Sequence, residues 1–187
     1  VATKFERHLI EHCAPTLAGI KVGNLFNCKT EPGDDIGTII EGWNVCFLNK
    51  GVQVRLIKDT AAGALVYVFR PAMLSKLLAR KDVARFLDGC GFSDCQGLEG
   101  YIERLGSHIR AADCFPHEIG IFLGYPLRDV QGFIQNKGRD FSLCGFWKVY
   151  SEPQHAEKLF AQYRKCFGVY KTLFENGRSI LQLTVAA

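Results

Sequence analysis

The 187 residues predict a single α+β domain: a small mixed β-sheet covered by helices, with the longest helix near the C-terminus. Three observations carry this. Residues 52–58 and 64–70 are β-branched or aromatic and partly alternating, and they flank a turn at 59–63, as a hairpin does. Helical spacing of apolar residues recurs on both sides of that hairpin. Finally, Leu159, Phe160, Tyr163, Cys166, Phe167, Tyr170 and Phe174 form a wide apolar face on one long helix, residues 153–175.

Taken in order, residues 1–50 read as a helical N-terminal part and 51–187 as the sheet-containing part. The first two helices are 4–13 and 15–27, the second carrying Leu17, Ile20 and Leu25 with Lys21 beside them. Pro32-Gly33 lies in a polar loop, and Asp34 or Asp35 is placed to cap a helix over 36–49, which Gly51 ends. After the hairpin, Pro71 opens a helix over 72–80, and a short helix follows at 82–88. Ser93 with Gln96, and again Ser151 with Gln154, match the capping-box pattern ahead of helices at 94–109 and 153–175. Residues 117–123 read as a buried central strand, 127 onward as a helix, 141–150 as a strand and 180–185 as a closing strand.

Composition narrows the class. An apolar content of 48% supplies a substantial core, which excludes a disordered chain. The net charge of +4 comes from scattered residues without a basic block, so no nucleic-acid footprint is expected. The N-terminus has no apolar core of signal-peptide length, and no run approaches a membrane span, so the expected compartment is the cytoplasm without membrane insertion. There the eight cysteines are expected as free thiols. None forms a C-x-x-C, so a zinc ribbon or iron–sulfur ligand run lacks its spacing.

The stretch 114–134, CFPHEIGIFLGYPLRDVQGFI, concentrates the unusual residues, with Cys114 at its start and His117-Glu118 where a buried strand would prefer apolar side chains. FPHEIGIFLGYPLRDVQGFI, then CGFWKVY (144–150) and YRKC (163–166), together with HCAPTLAGIKVGNLF (12–26) and LVYVFRP (65–71), resembles a bacterial family called domain of unknown function 3793, known mostly from anaerobic Firmicutes. The resemblance covers nearly the whole chain. It brings no established reaction. Its gene neighbours, ferrous-iron transport and flavodoxin genes, imply as an alternative a metal- or haem-handling protein of anaerobic iron metabolism.

The residues themselves point to an anionic small-molecule ligand. Arg70 ends a strand with a guanidinium fork suited to carboxylate or phosphate, or to a salt bridge with Glu118. Lys148 lies on the same strand face as Cys144, Phe146 and Tyr150, available for an anion or for a cation–π contact. His117, Glu118 and Lys148 are therefore the candidate catalytic residues, and Lys21, Arg70, Tyr125 and Tyr150 the candidate ligand-binding ones. Lys21 is expected to keep its tip in solvent. For metals, His8 and His12 stand four apart on one helical face beside Cys13, a spacing that can place two imidazoles on one ion, against the commoner reading of a solvated face. No cofactor follows from the sequence. The leading expectation is a cytoplasmic protein, binder or enzyme, for a small anionic molecule. The alternatives are the metal- or haem-handling role and a non-enzymatic adaptor that binds a protein.

Overall fold

The computed structural model describes residues 2–29, 35–60, 63–112 and 115–186; Pro32-Gly33, Asp34 and Cys114 lie outside them. The chain opens with α1 (Lys4–Leu17), where the Thr3 hydroxyl accepts from Glu6 N and the Glu6 carboxylate accepts from Thr3 N. That reciprocal pair satisfies two of the donors a helix start leaves open. Where two helices are expected, there is one helix and a strand. α1 runs through Pro15 and stops ahead of Gly19, whose φ of 76° takes the chain out of the helix. The chain then enters β1 (Gly23–Cys28).

Asp35 caps α2 (Ile36–Phe47), accepting from Gly37 N and Thr38 N. A 3-10 turn over Leu48–Lys50 leads to Gly51 in the left-handed region. β2 (Gln53–Thr60) and β3 (Gly63–Phe69) form the expected hairpin. The sheet order is β1-β3-β2, and every pairing is antiparallel. This corrects the mixed sheet expected from sequence. The outer edge of β2 is covered locally by Asn44 of α2. Its amide donates to Val54 O at 3.0 Å and accepts from Val54 N at 2.8 Å, which blunts the edge as a strand partner would.

Helices cover both faces of the sheet, and β3 shows why. Val66 and Val68 face a core built with Leu9, Leu17, Phe26, Ile40 and Phe47. Leu65, Tyr67 and Phe69 face a second core. Successive strand residues point to opposite faces, so a central strand buried on both sides reads as a continuous apolar run. The second core is completed by α3 (Pro71–Leu78), α4 (Lys81–Leu87) and α5 (Gly97–Ala111), with Leu74, Val83, Leu87 and Leu105 fully enclosed.

The expected central strand is instead a helical turn, α6 (Ile119–Phe122), whose Ile121 and Phe122 are buried in that same core. The apolar run is long enough for a strand, but it does not pair with the main sheet and instead packs its side chains into the second core. Tyr67 fixes its position, donating its hydroxyl to Phe122 O at 2.6 Å. α7 (Leu127–Gln135) follows. The expected strand 141–150 is reduced to a two-residue hairpin, β4 (Leu143–Cys144) with β5 (Lys148–Val149), separate from the main sheet. α8 (Pro153–Glu175) is the long helix, and its first half packs Phe160 and Tyr163 against Trp147 and Phe146. The expected closing strand is α9 (Ile180–Leu183), with a reciprocal Ser179–Gln182 cap at its start.

Candidate functional site

The seven residues singled out in the sequence are not gathered in one place, though Lys21 meets Tyr125 and His117 and Lys148 share Phe133. Arg70 is buried at the end of β3. Its Nε donates to Thr16 O and its Nη2 to Leu17 O, both at 2.7 Å, with further bonds to Val185 O (2.8 Å) and Lys50 O (3.3 Å). The guanidinium thus satisfies the last carbonyls of α1 and ties three chain segments together; no ion pair to Glu118 forms.

Glu118 is also buried, but its partner is His108 of α5, whose Nδ1 lies 2.7 Å from Oε1. His117 points elsewhere. It is exposed in the turn ahead of α6, with its ring edge-on to Phe133 at 5.2 Å. Lys148 approaches the same Phe133 from β5, donating to Gly138 O at 2.7 Å and lying 5.0 Å from the Phe141 ring centroid. Its ammonium is held by a carbonyl and aromatic faces.

Lys21 and Tyr125 do meet. The expected solvated tip of Lys21 is corrected by the structure: the residue is only 5% exposed, its ammonium donates to Gly23 O, and it lies over the Tyr125 ring at 5.6 Å. Desolvation pulls its pKa down to about 7, with a smaller opposing effect from Cys13. Burial pushes the Cys13 thiol well up. Tyr125 donates to Phe146 O at 3.2 Å and stacks on Trp147. Tyr150 lies across α7 where Gly132 leaves room; a Cβ there would fall 2.5 Å from the tyrosine ring.

A different set of residues borders a cleft of about 920 Å³ where α4 and the starts of α7 and α8 come together. Arg80, Asp82 and Arg85 approach from the α4 side, Arg128 and Gln131 from α7, and Glu152 and His155 from α8. Trp147 and Phe86 contribute apolar wall. Arg80 is occupied by Asp82 through two bonds, at 2.7 and 3.2 Å, which hold the Asp82 carboxyl below its ordinary range. Asp129 is 2% exposed and accepts from Trp147 Nε1, Tyr150 N, Ser151 N and Ser151 Oγ. Among the described residues, the side chains of Arg85, Arg128 and His155 make no hydrogen bond or ion pair with protein groups. Neither Pro126 nor Glu152, the residues ahead of α7 and α8, supplies a side-chain cap; the N–H groups of Asp129 and Val130 donate to Pro126 O and those of His155 and Ala156 to Glu152 O, as the first helical bonds beside the cleft. Arg128 stood within the stretch singled out in the sequence. What the sequence did not reveal was that α4 and α8, far apart along the chain, bring Arg85 and His155 to it.

The fold and this cleft define a small α+β protein with a polar, partly basic groove. The chain matches the family described as Protein of unknown function (DUF3793) over residues 9–184, and it belongs to that family. No curated protein and no solved structure matches it. No described helix is long and apolar enough to cross a membrane.

Proposed function

We propose that this protein binds a small anionic molecule, carrying phosphate or carboxylate groups, in the cleft between α4, α7 and α8. The observation that carries the reading is the pair Arg85 and Arg128, two guanidinium groups that border one cleft and form no ion pair among the described residues. Asp82 is engaged by Arg80, and Asp129 is turned into four donors, so Glu152 is the acid left to oppose them. Two uncapped helix starts add partial positive charge to the same space, the arrangement that favours an anion. A cleft of about 920 Å³ is large enough for a metabolite rather than a bare ion. His155 and Gln131 add polar groups, and Trp147 and Phe86 offer surfaces for an apolar or ring portion.

Calorimetric titration and thermal shift with inorganic phosphate, a phosphate monoester and a tricarboxylate test this. Arg85→Met and Arg128→Met are each expected to weaken binding by about 1.5–3 kcal/mol, the worth of a charge-assisted hydrogen bond. Both residues are exposed, so fold stability is expected to change by less than about 0.5 kcal/mol. Equal anion affinity in the parent and both variants, or no binding of any of the three anions, overturns the assignment.

A further inference from the structure

We infer that the outer face of α1 is a binding site for a divalent transition-metal ion, with His8, Glu11 and His12 as its ligands. Residues 8–12 read HLIEH, so two imidazoles stand at i and i+4 on one helical face with a carboxylate at i+3 between them. In the folded protein a ligand atom from each of the three lies within 4.8 Å of those from the other two. That spacing is close to what three donors around one ion require.

Two further observations separate this cluster from a solvated helix face. The His8 ring nitrogens, Nδ1 and Nε2, are both buried and both lack a hydrogen-bond partner. A neutral imidazole has one donor and one acceptor, and leaving both unmet in the interior is costly, so such a pair calls for a missing partner. A metal ion on one nitrogen supplies that partner. The rings are also held in place. His8 and His12 lie nearly parallel at 5.6 Å, and both stack on Phe26 of β1, at 5.7 and 5.3 Å. Phe26 is itself buried in the core between α1 and the sheet. The imidazoles are thus backed by a rigid wall that limits their rotation before any ion arrives, which lowers the cost of ordering them.

The donor set defines the ion. Two imidazoles and one carboxylate suit zinc and its neighbours and do not suit magnesium or calcium, which prefer all-oxygen shells. Cys13 is not part of the site despite its place in sequence, because it is fully enclosed next to Lys21. Glu11 and His12 are exposed, so the remaining coordination positions open to solvent or to an exogenous ligand. The site is separate from the arginine-bordered cleft, and neither assignment depends on the other.

Cobalt(II) is the probe, because its visible spectrum reports ligand type. The full chain, stripped of metal by a chelator and with accessible thiols alkylated, is titrated with cobalt(II) and then with zinc(II) in competition. The expected result is one equivalent of cobalt bound with imidazole–carboxylate bands, displaced by zinc, and a rise in Tm with zinc. His12→Ala, an exposed position whose loss leaves the fold intact, is expected to weaken binding by about tenfold or more and to abolish the zinc-dependent rise. Glu11→Gln is expected to weaken it less. Unchanged affinity in His12→Ala, thiolate-type bands, or no saturable cobalt binding overturns the assignment.

Discussion

Trp147 Nε1 donates to Asp129 Oδ2 at 2.8 Å, joining the β4–β5 hairpin to the first turn of α7. The other carboxylate oxygen accepts from Tyr150 N, Ser151 N and Ser151 Oγ, at 2.8–2.9 Å. One buried acid therefore fixes both the tryptophan that walls the cleft and the backbone that leads into α8. Asp129→Ala leaves those donors unmet in the interior and is expected to cost about 3–4 kcal/mol, whereas Trp147→Phe, which loses one of the bonds, is expected to cost about 1–2 kcal/mol. Urea denaturation of both variants checks the order. A smaller loss for Asp129→Ala than for Trp147→Phe means the acid does not organise this junction.

Lys21 gives a pH prediction. Its folded pKa of about 7 lies below its ordinary value of 10.5, so between those limits the unfolded chain binds the extra proton. Stability then rises with pH across that window, because the burial penalty is fully present below pH 7 and disappears as pH approaches the unfolded value. Lys21→Met removes the charge while keeping a similar length. It is expected to be more stable than the parent by about 1–4 kcal/mol at pH 6, with the difference shrinking as pH rises towards 10. A pH-independent difference between the two proteins contradicts the burial of this ammonium.

The docking of α8 is tested by three substitutions. Phe160 is buried edge-on to Trp147 at 4.5 Å, and Phe160→Ala is expected to cost about 3–5 kcal/mol. Phe167 is half-buried, stacked on Phe146 at 6.0 Å, and its truncation is expected to cost less. Lys158 is exposed, and Lys158→Ala is expected to change stability by less than about 0.5 kcal/mol. Comparable denaturation midpoints for all three variants refute the packing.

Thiol reactivity follows burial. Cys13, Cys46, Cys90, Cys95, Cys144 and Cys166 carry free thiols; Cys46 and Cys144 are exposed, whereas Cys13 is enclosed with its thiol pKa pushed up. Cys46 and Cys144 are expected to react promptly with a maleimide in native buffer, and Cys13 only after unfolding. Mass-mapped labelling checks this, and early modification of Cys13 contradicts its enclosure.

Local signals were readable where they were not contested. The hairpin of β2 and β3, the Asp35 cap and the long α8 follow from alternation, capping chemistry and helical spacing. GNLFNC could not be distinguished from a continuing helix stripe, because its strand state is set by pairing with β3, forty residues downstream. IGIF reads as a strand in the sequence and folds as a helical turn, because periodicity does not separate a short buried helix from a short buried strand. Capping boxes show the same limit. The pattern at Ser151 fails because that hydroxyl is drawn to Asp129, while the Ser179–Gln182 pair forms a box and opens α9. Of the candidate site residues, Lys21 with Tyr125 and His117 with Lys148 share neighbours, whereas Arg70 and Glu118 turn to partners that only the tertiary structure names: carbonyls of Thr16, Leu17, Lys50 and Val185, and His108.

The Arg70 bond to Val185 O spans 115 positions of chain. We expect this contact to form only once α8 and α9 have docked on α1, late in folding, because so long a loop is costly to close before the rest of the structure is in place. Arg70 is then a latch in the kinetic sense. Its removal is expected to accelerate unfolding many-fold while leaving the refolding rate almost unchanged, so the protein lacking it would reach its structure at the usual speed but hold it for a shorter time.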